Sequence, residues 1–280
     1  MAPEFDSLLG QCVTCASSNI KYLLTDFQGI NIYQCKHCRV HFMNPQYTDK
    51  YLAALYNTYQ QSDFQHHRYG SNTNPRYAKH SDNFELIGKN SKKGKLLSVG
   101  SGNGIDLLVA KRLGWQADGY EVDSAFSQML SEKTDTTIFT GDFQQLVFDK
   151  PYDCIYLNHV IEHPKNPRAY LIKINRSLRD NGLLYLATPN IESMSIKVKR
   201  LLETLRLRRK KGSYYDTWQH LTYFNPKQLC QLLEQHFGFR VIHLSTDNKK
   251  IKDGKVIHSA FDRFTFKSSF RILAKKVRQI

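Results

Sequence analysis

Four cysteines near the N-terminus form two pairs with the spacing of metal ligands. Two residues separate Cys12 from Cys15 and Cys35 from Cys38, and 19 residues lie between the pairs. Each pair makes a tight turn that directs both sulfurs at one point, and four thiolates suit a tetrahedral Zn²⁺ ion. No coordination position stays open, so we expect a structural zinc site. The alternatives are two reduced cysteine pairs in a small core, or a redox pair.

A glycine-rich turn suggests a second binding site. Residues 96–104 read Leu-Leu-Ser-Val-Gly-Ser-Gly-Asn-Gly, which ends an apolar strand and opens a helix. Its glycines let a ligand approach the backbone, although NAD-binding domains use a related turn. Glu121 ends the next strand, where a carboxylate accepts hydrogen bonds from both hydroxyls of a ribose. Asp142 and Phe143 follow the third strand, where an acid and a ring or backbone amide suit an adenine. Together these features predict an adenosine site.

Residues 95–190 resemble a class I S-adenosylmethionine-dependent methyltransferase of the methyltransferase domain 23 type. The resemblance rests on the glycine turn, on Tyr152–His163 (YDCIYLNHVIEH) and on residues 218–224 (WQHLTYF). It implies a doubly wound, mostly parallel, Rossmann-like α/β sheet that binds S-adenosylmethionine. The cofactor-binding residues that it implies are Gly100, Ser101, Gly102, Gly104, Glu121, Val122, Asp142, Phe143, Asn158 and His159.

The chain departs from this family at one position. The family usually has an acid two residues before the first glycine, where this chain has Ser98. That acid organises the loop and orients the methionine amino group, whereas a hydroxyl supplies no charge. The departure keeps open the hypothesis of a non-catalytic protein that binds S-adenosylmethionine.

Three residues after the fourth predicted strand are candidates for catalysis. Methyl transfer from a sulfonium is an in-line displacement, and a base helps when the acceptor is a hydroxyl or an acidic carbon. His159 and His163 are four residues apart and would share one face if that turn is helical. Glu162 would orient one of them. The alternatives are a loop-capping role for His163 and, for His220, either a substrate pocket or a packed core.

The acceptor class follows only indirectly. The chain lacks the Asn/Asp-Pro-Pro-Tyr run of methyltransferases that act on exocyclic amines of nucleic-acid bases. We therefore expect O- or C-methylation of a sugar, lipid-linked glycan or other small acceptor. An RNA methyltransferase is the alternative, since zinc modules and basic tails suit RNA backbones. The basic excess lies far from the cysteines, so a nucleic-acid partner is less favoured.

The alternation of strand and helix patterns divides the chain into parts. The parts expected are a zinc-ribbon-like module at 1–45, a connecting helical and aromatic arm at 46–93, a methyltransferase domain at 94–246 with a basic lid-like insertion at 191–217, and a basic tail at 247–280.

Positive charge is concentrated in the last third of the chain. The net charge is +15, and residues 191–280 hold 20 Lys and Arg against 7 Asp and Glu. The excess predicts an anionic partner or a solvated basic surface. Residues 195–211 carry basic side chains around Val198, Leu201, Leu202 and Leu205, an apolar helical stripe. The alternatives for such a helix are contact with a membrane surface, a lid over the substrate, or packing on the domain through its apolar stripe.

The sequence also predicts where the protein resides. No stretch approaches the ~18 apolar residues of a membrane-spanning helix. The N-terminal MAPEFDSLLGQC carries acids where a secretory signal carries a basic region. We therefore expect a cytoplasmic protein, with peripheral contact at the inner membrane face through residues 195–211.

Overall fold

The computed structural model describes residues 2–56, 75–246, 250–252, 255–257 and 267–280. The strands in this part of the chain are β1 (Ile20–Thr25), β2 (Asn31–Cys35), β3 (His41–Met43), β4 (Lys95–Val99), β5 (Gln116–Tyr120), β6 (Ile138–Phe139), β7 (Tyr152–Asn158), β8 (Leu178–Pro189), β9 (Thr222–Tyr223), β10 (Phe239–Thr246), β11 (Lys250–Lys252), β12 (Lys255–Ile257) and β13 (Ser269–Lys276). The helices are α1 (described over 49–56), α2 (Pro75–Gly88), α3 (Ile105–Arg112), α4 (Ser124–Thr134), α5 (Pro167–Ser177), α6 (Met194–Thr204) and α7 (Pro226–His236).

The central sheet has seven strands among the described residues, in the order β10-β13-β8-β7-β4-β5-β6. Neighbours from β8 to β6 pair in parallel, whereas β13 is antiparallel to both β8 and β10. The middle strands are almost continuous apolar runs and are buried, as expected when helices cover both faces of a parallel sheet. The predicted doubly wound, mostly parallel α/β fold is confirmed.

The C-terminal residues differ from the expected tail. Part of the range 247–280 forms β13, which lies between β8 and β10 in the sheet. Phe270, Ile272 and Leu273 are fully buried there. The buried Arg271 guanidinium donates to Asp82 and Asn83. Asp82 neutralises the charge, and both partners accept its hydrogen bonds, so a segment that the sequence suggested to be solvent-exposed can be buried.

Two helix ends do not lie where local sequence signals would place them. α5 ends at Ser177, whereas Asn181 and Gly182, residue types that commonly follow the end of a helix, lie inside β8. α6 spans Met194–Thr204 rather than the 195–211 predicted, because Arg206 adopts a left-handed backbone with φ of 59°. Residues 205–211 therefore lie beyond the helix, although they keep their basic side chains.

The N-terminal region joins the large domain through a second sheet, β1-β2-β3-β9. β9 comes from the segment after α6, so the strands of the N-terminal module and the large α/β domain share one antiparallel sheet. The Thr217 hydroxyl donates to the Asp26 carboxylate, and the Tyr47 hydroxyl donates to the Thr217 carbonyl. The N-terminal module is thus built into the domain.

The arm predicted at 46–93 is helical at both described ends, in α1 and α2. Residues 57–74 lie outside the described part of the chain. Among the described helices, none combines the length and the apolar character that crossing a bilayer requires.

Candidate cofactor site and active site

The glycine turn between β4 and α3 keeps its backbone open on one side. Gly100, Gly102 and Gly104 have φ values of 69°, 52° and 75°, which favour glycine. A side chain at Gly100 would place its Cβ 2.7 Å from Cγ2 of Val160, so the turn packs closely against the segment after β7. A Cβ at Gly102 would meet no atom within 4 Å. A ligand therefore has room to approach the backbone at Gly102.

Glu121, at the end of β5, points its carboxylate into this turn. Its Oε2 accepts from the amide of Gly102 at 3.0 Å, and its Oε1 accepts from the amide of Val122 at 3.1 Å. Burial raises the pKa of Glu121 to about 7, although both hydrogen bonds oppose the shift. The predicted ribose-binding acid thus lies beside the open glycine.

A buried carboxylate from α3 reaches the position where the family usually has an acid. The Ser98 hydroxyl donates to Oδ2 of Asp106, and the Leu107 amide donates to Oδ1 at 2.9 Å. Burial raises the pKa of Asp106 to about 6, against the hydrogen bonds from Ser98 and Leu107. Sequence reasoning missed Asp106, although an acid within the apolar run after the glycine turn was the available signal.

The third strand places its predicted residues differently. Asp142 is exposed, and its Oδ1 accepts from the amide of Gln144. The ring of Phe143 is buried and packs 4.9 Å from Tyr120 and 4.8 Å from Tyr170, centroid to centroid. The ring therefore belongs to the core, which leaves the backbone amide of Phe143, the other group expected to flank an adenine, as the candidate beside the exposed Asp142.

Three other cofactor-binding residues that the resemblance implies differ in their burial. Ser101 is buried, and its hydroxyl donates to the Ser98 carbonyl inside the turn. Val122 is half exposed beside Glu121. Asn158 is partly buried at the end of β7, opposite Ala187 of β8.

His159 and Glu162 form a pair just after β7. The Nδ1 of His159 lies 3.4 Å from Oε1 of Glu162, and the Thr188 hydroxyl donates to Oε2 at 2.9 Å. Glu162 is fully buried, which by itself would raise its pKa. The contact with His159 and the fields of His163 and His220 outweigh burial and lower that pKa to about 2. Glu162 is therefore a buried anion that faces Nδ1 of His159.

His163 lies near Glu162 but makes its hydrogen bond to a different segment. The turn after β7 is not helical, because His159 has φ of 58°, so His159 and His163 do not share a helix face. The Nδ1 of His163 donates to the carbonyl of Gln219 at 3.0 Å, and its ring lies 5.0 Å from that of His220. Burial lowers the pKa of His220 to about 4. One ligand atom each from Glu162, His163 and His220 lie within 4.8 Å of one another, a spacing that a divalent cation can bridge.

The four N-terminal cysteines converge as predicted. Their sulfurs all lie within 4.8 Å of one another, with 3.6 Å between Cys12 and Cys38 and between Cys15 and Cys35. Four sulfurs about 2.3 Å from a zinc ion are about 3.8 Å apart, so the cluster fits tetrahedral zinc. The hydrogen bond between Cys12 and Cys38 lowers the pKa of the Cys12 thiol to about 5 and raises that of Cys38, and burial raises the pKa of Cys15 to about 11.

Comparison with known proteins gives the class of this chain. The methyltransferase domain family known as Methyltransf_23 matches residues 64–244, well over half of the chain. The chain belongs to this family. By family and fold it is an S-adenosylmethionine-dependent methyltransferase.

Individual relatives are distant. A ubiquinone biosynthesis O-methyltransferase from Maricaulis maris is 27% identical over 117 residues, which cover 39% of this chain and 46% of the relative. The chain therefore matches less than half the length of that protein. Magnesium protoporphyrin IX methyltransferase from Synechocystis PCC 6803, solved with bound S-adenosylhomocysteine, aligns with a TM-score of 0.53 at 12% identity, covering 79% of this chain and 94% of that one. The 1,6-didemethyltoxoflavin-N1-methyltransferase of Burkholderia thailandensis has a TM-score of 0.53 at 13% identity, covering 92% and 100%.

Proposed function

We propose that this protein transfers a methyl group from S-adenosylmethionine to an oxygen or an acidic carbon of a sugar, lipid-linked glycan or other small acceptor. The observation that carries the proposal is the His159–Glu162 pair. The segment that bears it packs on the glycine turn through Val160. A base held beside a cofactor turn is what a hydroxyl acceptor requires, because a neutral alcohol is a poor nucleophile until its proton leaves.

Residues of the glycine turn and its neighbours would hold the cofactor. The open backbone at Gly102 fits a closely approaching ligand, and the Glu121 carboxylate beside it fits the two hydroxyls of a ribose. S-adenosylmethionine, when bound, supplies an electrophilic methyl group on a sulfonium. The other residues proposed for this role are Gly100, Ser101, Gly104, Val122, Asp142, the backbone of Phe143, Asn158 and His159.

The pair after β7 would manage the acceptor proton. Glu162 faces Nδ1 of His159 and would hold a proton there, which would leave Nε2 as the nitrogen that takes the proton from the acceptor hydroxyl. The imidazolium that results is stabilised by the buried Glu162 anion, which keeps its charge because its pKa is about 2. His163 donates a hydrogen bond to the carbonyl of Gln219 and would thereby position the segment around Gln219, which would cover the acceptor.

The Ser98 departure does not by itself remove activity in this proposal. The charge that a serine lacks is supplied by Asp106 through a direct hydrogen bond to the serine hydroxyl. This contact weakens the case for a non-catalytic binding protein. For the cysteine cluster, we propose a structural zinc ion with four protein ligands, Cys12, Cys15, Cys35 and Cys38.

The test is methyl transfer from labelled S-adenosylmethionine into lipid, glycan, RNA and protein fractions of a cell extract. We expect label in the lipid, glycan or small-molecule fraction, and loss of that label with His159→Ala. The control is His236→Ala, a partly exposed histidine at the end of α7. Label in RNA would replace the proposal with an RNA methyltransferase. Cofactor binding without transfer to any fraction would leave a non-catalytic binding protein.

A further inference from the structure

Helix α6 is attached to the domain by its polar side. Arg200 donates to the carboxylate of Glu192 at 2.7 Å and to the carbonyl of Ile191 at 3.0 Å. Glu203 accepts from the amide of Gly212 at 3.1 Å and pairs with Arg208. These contacts direct the charged side of the helix inward, together with the partly buried Ile196 and Leu202.

The apolar side of the same helix faces solvent. Met194, Val198, Leu201 and Leu205 recur at intervals of four, three and four residues, so they form one stripe. Each of these side chains is more than half exposed, and no residue of α6 is buried. We call this stripe the outer face of α6. The expectation that the helix packs by its apolar stripe is therefore wrong, because ion pairs on the opposite side anchor it.

The exposed apolar surface continues beyond the helix. Leu207 is 72% exposed, directly after the outer face ends. Phe27 is also exposed and lies next to residues 210–211. Its amide donates to the Lys211 carbonyl, and the Lys210 ammonium lies 5.5 Å from its ring centroid. A solvated helix does not normally arrange its leucines and an aromatic ring outward.

The segment that carries this surface has an excess of cations over acids. The acids of residues 191–211 are Glu192 and Glu203, and each is engaged by an arginine, Arg200 or Arg208. The exposed cations that remain in this segment are Lys197, Arg206, Arg209, Lys210 and Lys211. The outer face therefore combines a continuous apolar stripe with excess positive charge.

We propose that the outer face of α6 docks on an anionic lipid bilayer, with its leucines among the acyl chains and its cations at the headgroups. Charge complementarity favours this occupant, because an apolar stripe bordered by cations matches the acyl and phosphate layers of an anionic membrane. A nucleic acid would use the cations but not the aliphatic stripe. Since Arg200 anchors α6 just after β8, which also presents Thr188 to Glu162, docking would bring the site close to the membrane surface.

The test is co-sedimentation of the full-length protein with phosphatidylcholine vesicles, with and without phosphatidylglycerol, at low and high salt. We expect binding only with phosphatidylglycerol, and binding that falls with salt. An apolar variant, Val198→Ser with Leu201→Ser and Leu205→Ser, should weaken vesicle binding at least tenfold, because it removes apolar area that docking would bury. A basic variant, Arg206→Gln with Arg209→Gln and Lys211→Gln, should weaken it about 100-fold.

Matched controls separate the outer face from general surface properties. Val147→Ser with Ile242→Ser and Val277→Ser removes three exposed apolar side chains elsewhere, and Lys89→Gln with Lys92→Gln and Lys150→Gln removes three cations elsewhere. Both should bind like wild type, and all variants should keep zinc content and cofactor affinity.

Several outcomes would overturn the membrane proposal without affecting the proposed methyl transfer. These are the absence of vesicle binding, binding that the apolar variant leaves unchanged, and equal losses in the control variants. Binding to RNA but not to vesicles would assign the surface to nucleic acid instead.

Discussion

The two sides of the carboxyl edge of the sheet are assembled differently. The cofactor half, residues 95–143, is held together by contacts between near neighbours: Ser98 contacts Asp106 eight residues away, and Gly102 contacts Glu121 nineteen residues away. The acceptor half combines residues 26–47, 159–163 and 212–224. Its hydrogen bonds join Asp26 to Thr217 and Tyr47 to Thr217 across 191 and 170 residues.

This difference separates two tasks. The proposed site for a cofactor that many relatives share lies in one continuous βαβ unit, which a short motif specifies. The acceptor half uses segments distant in sequence, including strands of the N-terminal module, which pair with β9 through β3. Changes in either half should therefore affect different quantities: cofactor affinity for one, acceptor turnover and local folding for the other.

Zinc removal should have the largest effect and should act on the acceptor half alone. Zinc binding to such four-ligand sites is worth about 10–16 kcal/mol, so its loss should unfold the module. We expect about one zinc per purified chain, and loss of that zinc in Cys35→Ser. Because β3 pairs with β9, methyl transfer should fall strongly while cofactor affinity stays within a few-fold.

The matched control is Cys230→Ser, a partly buried cysteine of α7 outside the cluster. It should keep both zinc and activity. If Cys35→Ser retains full stability without metal, the zinc is not structural. If cofactor affinity collapses together with turnover, the two halves are not independent.

His159→Ala should have the next largest effect, a fall in turnover of about 10²–10⁴-fold, because it removes the proposed base. Cofactor affinity should change by only a few-fold, since the glycine turn and Glu121 are untouched. Steady-state kinetics and calorimetry of cofactor binding measure the two quantities. Equal losses in both would place His159 in the cofactor half and contradict its role as base.

The cofactor half was largely predictable from sequence because its signals are local. The glycine turn ends an apolar strand, β4, and opens a helix, α3, as predicted, and Glu121 lies beside that turn. Apolar periodicity, glycines and the spacing of acids all occur within about fifty residues. The exceptions are Phe143, whose aromatic ring packs in the core, and Asp106, a buried acid whose only local signal was its place in an apolar run.

Contacts between distant segments explain what the sequence did not show. Arg271 gives the sequence of β13 a polar character, but in the fold its charge is neutralised by Asp82, which is 189 residues away. The orientation of α6 depends on ion pairs of Arg200 and Glu203 that helical periodicity does not contain. The joining of the N-terminal module to β9 likewise follows from the tertiary fold.

Acid should weaken the acceptor half through His41, with a smaller effect than the base substitution. His41 lies between Gln34, whose amide donates to its Nε2, and the Tyr215 hydroxyl at its Nδ1, each at 2.9 Å. Burial, helped by the field of Arg200, lowers the pKa of His41 from 6.5 to about 4. The unfolded chain therefore binds a proton first, and stability falls as pH drops from about 6.5 to about 4.

The loss from His41 amounts to about 3 kcal/mol over that window, at 1.36 kcal/mol for each pKa unit. His41→Gln should show a shallower decline in the free energy of unfolding between pH 7 and pH 4.5, measured with urea. The decline should not vanish, because the pKa of His220 is also lowered to about 4 by burial. An unchanged pH dependence in the variant would mean that His41 is not the titrating group.

The smallest expected effect is a pH dependence of cofactor affinity, and it belongs to the cofactor half. Ribose hydroxyls donate to an ionised carboxylate, whereas the pKa of Glu121 is raised to about 7, chiefly by burial. Binding below pH 7 must therefore expel a proton, and affinity should fall by roughly tenfold per pH unit there and level off above it. Glu121→Gln should bind the cofactor more weakly at neutral pH and lose this slope.

The negative charge of Asp106 also raises the pKa of Glu121, so Asp106→Asn should move the break in the pH profile of cofactor affinity to lower pH. Calorimetry from pH 5.5 to 8.5 in two buffers of different ionisation enthalpy would count the released proton directly. A flat profile in the wild-type protein would show that Glu121 is not the group that receives the ribose, and the cofactor half would then need another acid for that task.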